Sequence, residues 1–350
     1  MPFNINTIIR PNIKNLKPYS SARDEFKGEA SVYLDANENA FGSPLATNYN
    51  RYPDPLQFAL KTKLSHIKGV PPRNIFLGNG SDEAIDILFR SFCNPGIDNV
   101  IIVPPTYGMY EVSANINDVQ LKKVNLTLDY QLNLDGIAEA IDAYTKLIFI
   151  CSPNNPTGNS INREDIETLL ANFNGLVVVD EAYINYSRQK SFIQELTEYA
   201  NLVVLQTLSK AWGLAGLRIG MAFASEEIIE VFNRVKPPYN INQASQQLAL
   251  DALQNVSQIN NWIKEILSER DKLVLALKSM AFVLDIYPSD ANFILVKTTD
   301  ANAIYNFLVA KGIIVRNRNK IELCEGCIRI TVGTPQENES LLNTLRILVI

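Results

Sequence analysis

The chain has 350 residues, 47% of them hydrophobic, with 32 basic against 37 acidic side chains and a formal net charge of −5. That length and apolar content exceed one small core, so two domains are expected, and the acidic balance argues against nucleic acid or an anionic membrane surface and for a small-molecule partner. No apolar run approaches the roughly 20 residues that span a bilayer, and the start, with Pro2 and three early asparagines, lacks a signal-peptide core, so a cytoplasmic protein is expected.

The first thirty residues are polar and interrupted by Pro2, Pro11 and Pro18, which predicts an arm or short helix packed against something else. Residues 34–44 and 50–55, the latter reading Asn-Arg-Tyr-Pro-Asp-Pro with Tyr52 before a proline, predict no regular structure and read by themselves as surface loop. His66, the one histidine, lies in a Lys-Leu-Ser-His context that suits an amphipathic helix and supports no Ser-His-Asp or Cys-His chemistry. A strand at 74–77 runs through Gly78-Asn-Gly80-Ser81-Asp82-Glu83 into an apolar helix at 84–92. Strand, glycine turn and helix can bind an anion on the free amides of the first helical turn. An ordinary helix capped by Ser81 fits the same residues. If a phosphate sits beside Asp82, that carboxylate needs a cation, and Arg218 can supply one.

A buried strand at 100–103 ends in Pro-Pro-Thr-Tyr107-Gly, where an aromatic can stack on a flat ring or simply pack the rim. The next strand, 146–152, ends in Pro-Asn-Asn155-Pro-Thr-Gly, a stiff turn that leaves Asn155 as a donor for a phenolate-like oxygen. After a crossover helix at 163–173, capped by Asn162, the apolar run 176–179 ends in Asp180-Glu181-Ala-Tyr183. A carboxylate at the end of a buried strand is expensive unless a cation meets it, and a protonated ring nitrogen is such a cation. A solvated, loop-starting acid describes Glu181 better than Asp180. Tyr183 can reach the same ring edge.

Between the strands 202–205 and 219–224 stand Thr207, Ser209, Lys210 and Arg218, with Gly213 and Gly216 letting the chain curl back. The hydroxyls and Arg218 can converge on one anion. A partly desolvated Lys210 has a lowered pKa and can form a Schiff base with a carbonyl. Strands alternate with helices and each of these residues falls just past a strand, which in a doubly wound parallel sheet places them in one crevice. Helices follow at 226–235, 243–253 and 258–281, the last bridging to a smaller α+β unit with strands at 292–296, 313–316 and 327–331 and helices at 302–310 and 336–348. Arg316 and Arg329 lie in its strands, as clamps for a carboxylate or phosphate or as salt-bridge partners of Glu322 and Glu325. Cys93 and Cys151 read as core residues; Cys324 and Cys327 have no second pair and no nearby histidine, so neither a zinc site nor a disulfide framework is expected.

Thr-x-Ser-Lys at 207–210, with an arginine eight positions past the lysine, resembles the cofactor-lysine segment of pyridoxal-phosphate enzymes of the aspartate-aminotransferase fold. With Leu-Asp-Ala-Asn-Glu-Asn from residue 34, Arg-Tyr-Pro at 51–53, Asn-Pro-Thr-Gly at 155–158 and Cys-Ile-Arg-Ile-Thr-Val-Gly-Thr at 327–334, nearly the whole chain is similar to the histidinol-phosphate aminotransferases, of the class-II branch. Ala40 departs from the family's usual proline. The resemblance implies an α/β fold: an amino-terminal arm (1–30) belonging with the small domain, a large domain (31–255) whose mostly parallel doubly wound sheet carries pyridoxal 5'-phosphate, and a small carboxyl-terminal domain (256–350), so that both termini build the smaller unit. It implies a homodimer exchanging an amino group between histidinol phosphate and 2-oxoglutarate. Lys210 would hold the cofactor covalently, Asp180 its ring nitrogen, Asn155 and Tyr183 its ring oxygen, and Tyr107 its ring face. Gly80, Ser81, Asp82, Thr207, Ser209 and Arg218 would hold its phosphate, with Tyr52 reaching in from the partner subunit. Arg316 and Arg329 would bind the substrate anion. An aromatic or other amino-acid aminotransferase, or a threonine-phosphate decarboxylase, shares these features.

Overall fold

The computed structural model describes residues 3–19 and 30–348. Among them, seven strands form one sheet: β1 (Ile75–Asn79), β2 (Asn99–Ile102), β3 (Gln120–Lys123), β4 (Thr145–Cys151), β5 (Leu176–Asp180), β6 (Leu202–Thr207) and β7 (Ile219–Phe223), in the order β1-β7-β6-β5-β4-β2-β3. From β6 to β3 every neighbouring pair is parallel, whereas β7 runs antiparallel to both β6 and β1. The apolar runs make this possible because their residues alternate between two cores. Val177, Val179, Leu202 and Val204 join one cluster, and Leu176, Val178, Val203 and Leu205 join the other. A strand buried on both faces needs no polar alternation, and each such side chain contributes about 1.5–3 kcal/mol of transfer free energy.

Helices cover both faces. The first core takes Leu60 and Leu64 of α2 (Phe58–Lys68), Ile137 of α5 (Leu134–Ala140), Ile166 and Leu170 of α6 (Arg163–Asn172) and Ala249 of α8 (Gln243–Ala252). The second takes Phe89 and Phe92 of α3 (Ser81–Phe92), Tyr110 of α4 (Met109–Ile116) and Phe232 of α7 (Glu226–Val235). Ile5, Ile8, Ile9 and Ile13, the last in the short α1 (Pro11–Lys14), also bury in this second core. The described part of the amino-terminal arm therefore packs on the large sheet and its helices, not on the smaller unit as expected, because its four isoleucines find their apolar partners there.

The long α9 (Val256–Lys278) leads into an antiparallel sheet of order β10-β11-β9-β8, made of β8 (Val283–Ile286), β9 (Phe293–Thr298), β10 (Arg316–Asn317) and β11 (Cys327–Thr331). Leu273 and Leu277 of α9, Ile304 and Leu308 of α10 (Ala301–Ala310) and Leu341 and Leu345 of α11 (Pro335–Arg346) fill its core. Thr334 and Glu337 form a capping box at the start of α11. Of the expected 313–316 strand only Arg316 pairs with β11, and the pairing runs on through Asn317, so the strand lies later in the chain than its apolar run suggests. Asn162 does stand at the amino end of α6, without a side-chain cap bond. A small cluster of Tyr183, Tyr186, Ala211, Ala291 and Phe293 joins the two sheets directly beneath the crevice.

Candidate active site

The antiparallel β7 explains how the site assembles. Its Gly220 lies in register with Gly78 of β1 on one side and Thr207 of β6 on the other, which brings the turn after β1 against the loop after β6. A Cβ on Gly220 would sit 2.1 Å from both Gly80 C and Ser81 N, so only glycine permits that approach. Gly80 caps α3 at φ +73°, and its amide donates to the Arg218 carbonyl at 2.7 Å. Ser81 is thus the first helical residue and not the cap. Arg218 itself sits in the left-handed region at φ +55°, a strained backbone for a non-glycine residue that aims its side chain back at α3. Its guanidinium lies 3.5 Å from Asp82 Oδ2 and donates to Ser209 Oγ at 3.4 Å. Cation, hydroxyl and free helix amides thus surround one anion-sized space at a helix amino terminus.

Asp180 closes the floor of the cleft. It is 2% exposed, accepts from the Tyr110 hydroxyl at 2.8 Å and the Ala182 amide at 3.1 Å, and burial raises its pKa to about 6. Among the described residues no cation forms an ion pair with it, which makes it a receptor for one. Tyr110 was not singled out in the sequence; a tyrosine inside an apolar helix carries no motif. Lys210 stands open to the cleft and not sealed between strands, its Nζ 5.5 Å from the Tyr183 ring centroid. Its ammonium is still disfavoured, first by partial desolvation and then by the Arg329 guanidinium.

Asn155 Nδ2 and the Tyr183 hydroxyl lie 3.3 Å apart, and Arg329 Nη1 donates to Asn155 Oδ1. The Tyr107 hydroxyl donates to Asp82 at 3.1 Å while its ring meets Tyr110 edge-on, and burial followed by Asp82 raises its pKa. Phe293 of β9 packs its edge on Tyr183 and its face under Arg329, whose guanidinium is 5.0 Å from the ring centroid. The small sheet thereby sets Arg329 against the large one. Arg316 and Arg329 are directly opposite in the β10–β11 register. Neither bridges to Glu322 or Glu325 among the described residues; Glu322 accepts from Asn125 at 2.6 Å.

One cleft of about 390 Å³ brings together every expected site residue except Tyr52 and adds Arg318. Tyr52 lies outside it, half-exposed and stacked on Tyr239 at 4.5 Å between ring centroids. Glu181, expected as a solvated acid, is 1% exposed: it accepts from Ser191, the Phe192 amide and Gln206, and Gln206 in turn accepts from the half-buried Lys68 at 2.7 Å. It braces the ends of β5 and β6 behind the cleft. Cys324 and Cys327 are buried free thiols in the first core.

A domain model described as aminotransferase class I and II matches residues 32–345. The chain belongs to that family. It is 55% identical over 342 residues to the histidinol-phosphate aminotransferase of Parabacteroides distasonis, covering 98% of each chain, and 55% identical over 346 residues to that of Cytophaga hutchinsonii, covering 99% of each. Among solved structures, a putative histidinol-phosphate aminotransferase from Erwinia carotovora atroseptica aligns with a TM-score of 0.78 at 26% identity, over 89% of this chain and 93% of that one. The histidinol-phosphate aminotransferase of Sinorhizobium meliloti in complex with pyridoxal-5'-phosphate shares the fold with a TM-score of 0.78 at 24% identity, over 97% and 98%.

Proposed function

We propose that this chain is a pyridoxal-phosphate-dependent aminotransferase that moves an amino group between histidinol phosphate and 2-oxoglutarate, a step of histidine biosynthesis carried out in the cytoplasm. The observation that carries the reading is the set of groups in one cleft: an anion site at Gly80, Ser81 and Arg218, an amine at Lys210, the buried carboxylate of Asp180, and arginines that form no ion pair with a carboxylate among the described residues. The names of the relatives supply the substrate. The cofactor fits these residues on the chain's own evidence, because Asp180 is a buried carboxylate with raised pKa in want of a cation and Gly80, where a Cβ would meet Arg218 Nη2 at 2.6 Å, lets that guanidinium lie against the amino end of α3. No helix of the described residues is long and apolar enough to cross a membrane.

Bound there, the cofactor would supply a carbonyl that condenses with amines and a protonated pyridine ring that takes up electrons from the substrate carbon. Asp180 would keep the proton on the ring nitrogen, and Tyr110 and the Ala182 amide hold that carboxylate in place. Asn155 and Tyr183 would donate to the ring oxygen, and Tyr107 would cover one face. Gly80, Ser81, Asp82, Thr207, Ser209 and Arg218 would hold the phosphate, Asp82 being tied to it through Arg218. Lys210, freed when the substrate amine takes its place, would accept the proton from the substrate's α-carbon and deliver it to the cofactor's carbonyl carbon; the lowering of its pKa by desolvation and Arg329 favours the neutral amine that role needs. Arg316 and Arg329 would orient either substrate by its distal anion.

The test is a half-reaction panel on the holoenzyme, following the cofactor's visible absorbance with histidinol phosphate, phenylalanine, aspartate and threonine phosphate. Histidinol phosphate should give the highest ratio of rate constant to dissociation constant. Preference for phenylalanine would overturn the substrate, and carbon dioxide release from threonine phosphate without amino transfer would overturn the reaction.

A further inference from the structure

Arg318 is the arginine that no motif drew out. It follows Arg316 by two positions, and its amide donates to the Cys327 carbonyl at 2.9 Å, which continues the β10–β11 ladder. Residues two apart leave such a ribbon on one face. Arg316 already stands opposite Arg329, and like charges directly opposite destabilise a sheet. No carboxylate among the described residues forms an ion pair with any of the three, and the nearby Glu322 is turned to Asn125. Arg318 Nε and Arg329 Nε are both buried without a hydrogen-bond partner. Burial lowers both guanidinium pKa values, that of Arg329 to about 10, with the neighbouring arginine the next cause in each case. Three neighbouring guanidinium groups, two of them with an unfilled buried donor, are arranged for an anion that the described residues do not supply.

We propose that Arg318 is a third substrate-binding arginine, which with Arg316 and Arg329 forms a pocket for the doubly charged phosphate monoester end of the substrate. The inference rests on the reading of the cleft given above and deepens it. A phosphate monoester carries three acceptor oxygens and a charge near −2 at neutral pH, whereas a carboxylate carries two oxygens and one charge. Two forked arginines already saturate a carboxylate. The third has work only when a phosphate is bound, so Arg318 separates the two half-reactions by the charge of their substrates.

The experiment compares wild-type holoenzyme with Arg318→Gln and Arg318→Lys in single-turnover half-reactions with histidinol phosphate and with glutamate, after thermal melting and cofactor absorbance have shown each variant folded and loaded. In Arg318→Gln the specificity ratio, histidinol phosphate over glutamate, should fall at least about tenfold, equivalent to about 1.4 kcal/mol, with the loss in dissociation constant and Arg318→Lys intermediate. The effect should grow between about pH 5 and about pH 7.5, as the phosphate loses its second proton near pH 6. The groups facing Arg318 are the Arg316 guanidinium, Arg329, lowered to about 10, Tyr183, raised by burial, and Cys324, raised to about 12; the shifts of the last three keep their titrations above that window. Lys210 and Asp180 are common to all three enzymes and cancel in the ratio. Inorganic phosphate, added as a competitor of the glutamate half-reaction, should inhibit wild type more strongly than Arg318→Gln. Equal losses with both substrates, an unchanged ratio, or equal inhibition by phosphate would overturn the proposal. A wild-type enzyme inert to histidinol phosphate would defeat the substrate assignment instead, and the inorganic-phosphate arm then still decides the role of Arg318.

Discussion

Asp180 is where burial and chemistry oppose each other most directly. Its carboxyl is sealed under the cleft, and without a cation its folded pKa rises from 3.8 to about 6, with desolvation the main cause and the Tyr110 hydrogen bond opposing it. A carboxyl with a raised folded pKa contributes stability that is fully present below the unfolded value and lost as pH rises through the folded one. For the cofactor-free protein that loss is about 3 kcal/mol between pH 4 and pH 7. Asp180→Asn cannot titrate, so the melting temperature of the cofactor-free variant relative to wild type should rise across that interval. A constant mismatch with the Ala182 amide shifts both ends equally. Loaded with cofactor, the order reverses: the aspartate meets its cation, and the asparagine variant should lose at least about 100-fold in half-reaction rate, in the range of a lost proton-holding group. A difference in melting temperature that stays flat with pH would mean that Asp180 is ionised in the empty cleft.

At the scale of elements, the strand β7 does what no motif announces. Its apolar run is legible as a buried strand, but periodicity carries no direction, so the antiparallel insertion between β1 and β6, and with it the meeting of Arg218 and Gly80, had to be seen in the fold. The same limit explains the other gaps. Edge strand β3 reads Gln-Leu-Lys-Lys and β10 is two residues long, so neither shows an apolar run, and Arg318 in an Arg-Asn-Arg-Asn stretch looks like a solvated turn. The residues past the central strands were legible because burial forces their chemistry to stand out: an acid ending Leu-Val-Val-Val, or a lysine between two apolar runs. Glu181 misled for the converse reason, since its partners Lys68, Gln206 and Ser191 lie far apart in sequence. The β7 insertion predicts that Gly220→Ala, whose methyl would meet the Gly80–Ser81 backbone, separates the two loops. It should cost about 1–3 kcal/mol of stability or more and weaken cofactor retention at least about tenfold. Gly216→Ala, with nothing within 4 Å of the new methyl and no positive φ, is the control and should leave the melting temperature nearly unchanged. Equal melting temperatures for the two variants would remove the close approach from the account of the site.

The whole molecule leaves one region unexplained by a single chain. Leu34, Phe41 and Phe58, close in sequence to Tyr52, are 86%, 101% and 67% exposed, and a further cleft is lined by residues 36–38, 49–53, 239 and 242–244. Exposed apolar side chains concentrated in one stretch of chain are what an interaction surface requires. Tyr52 lines that further cleft and not the one holding Lys210, its amide held by the Glu38 carboxylate at 2.6 Å and its ring stacked on Tyr239. We propose a two-fold dimer in which each Tyr52 serves the partner's cofactor phosphate. Solution mass should therefore be that of two chains. Mixing Tyr52→Phe with Lys210→Ala chains tests the sharing itself. In a hybrid, the site with Lys210 receives an intact Tyr52 from the Lys210→Ala chain, so one site of the two is whole. With random reassortment about a quarter of all sites regain both groups, and single-turnover activity should exceed the mean of the two parents by about a quarter of the difference between the wild-type and Tyr52→Phe rates. Hybrids present by mass but with no gain in rate would place Tyr52 in its own subunit's cleft and leave the exposed apolar face to another partner.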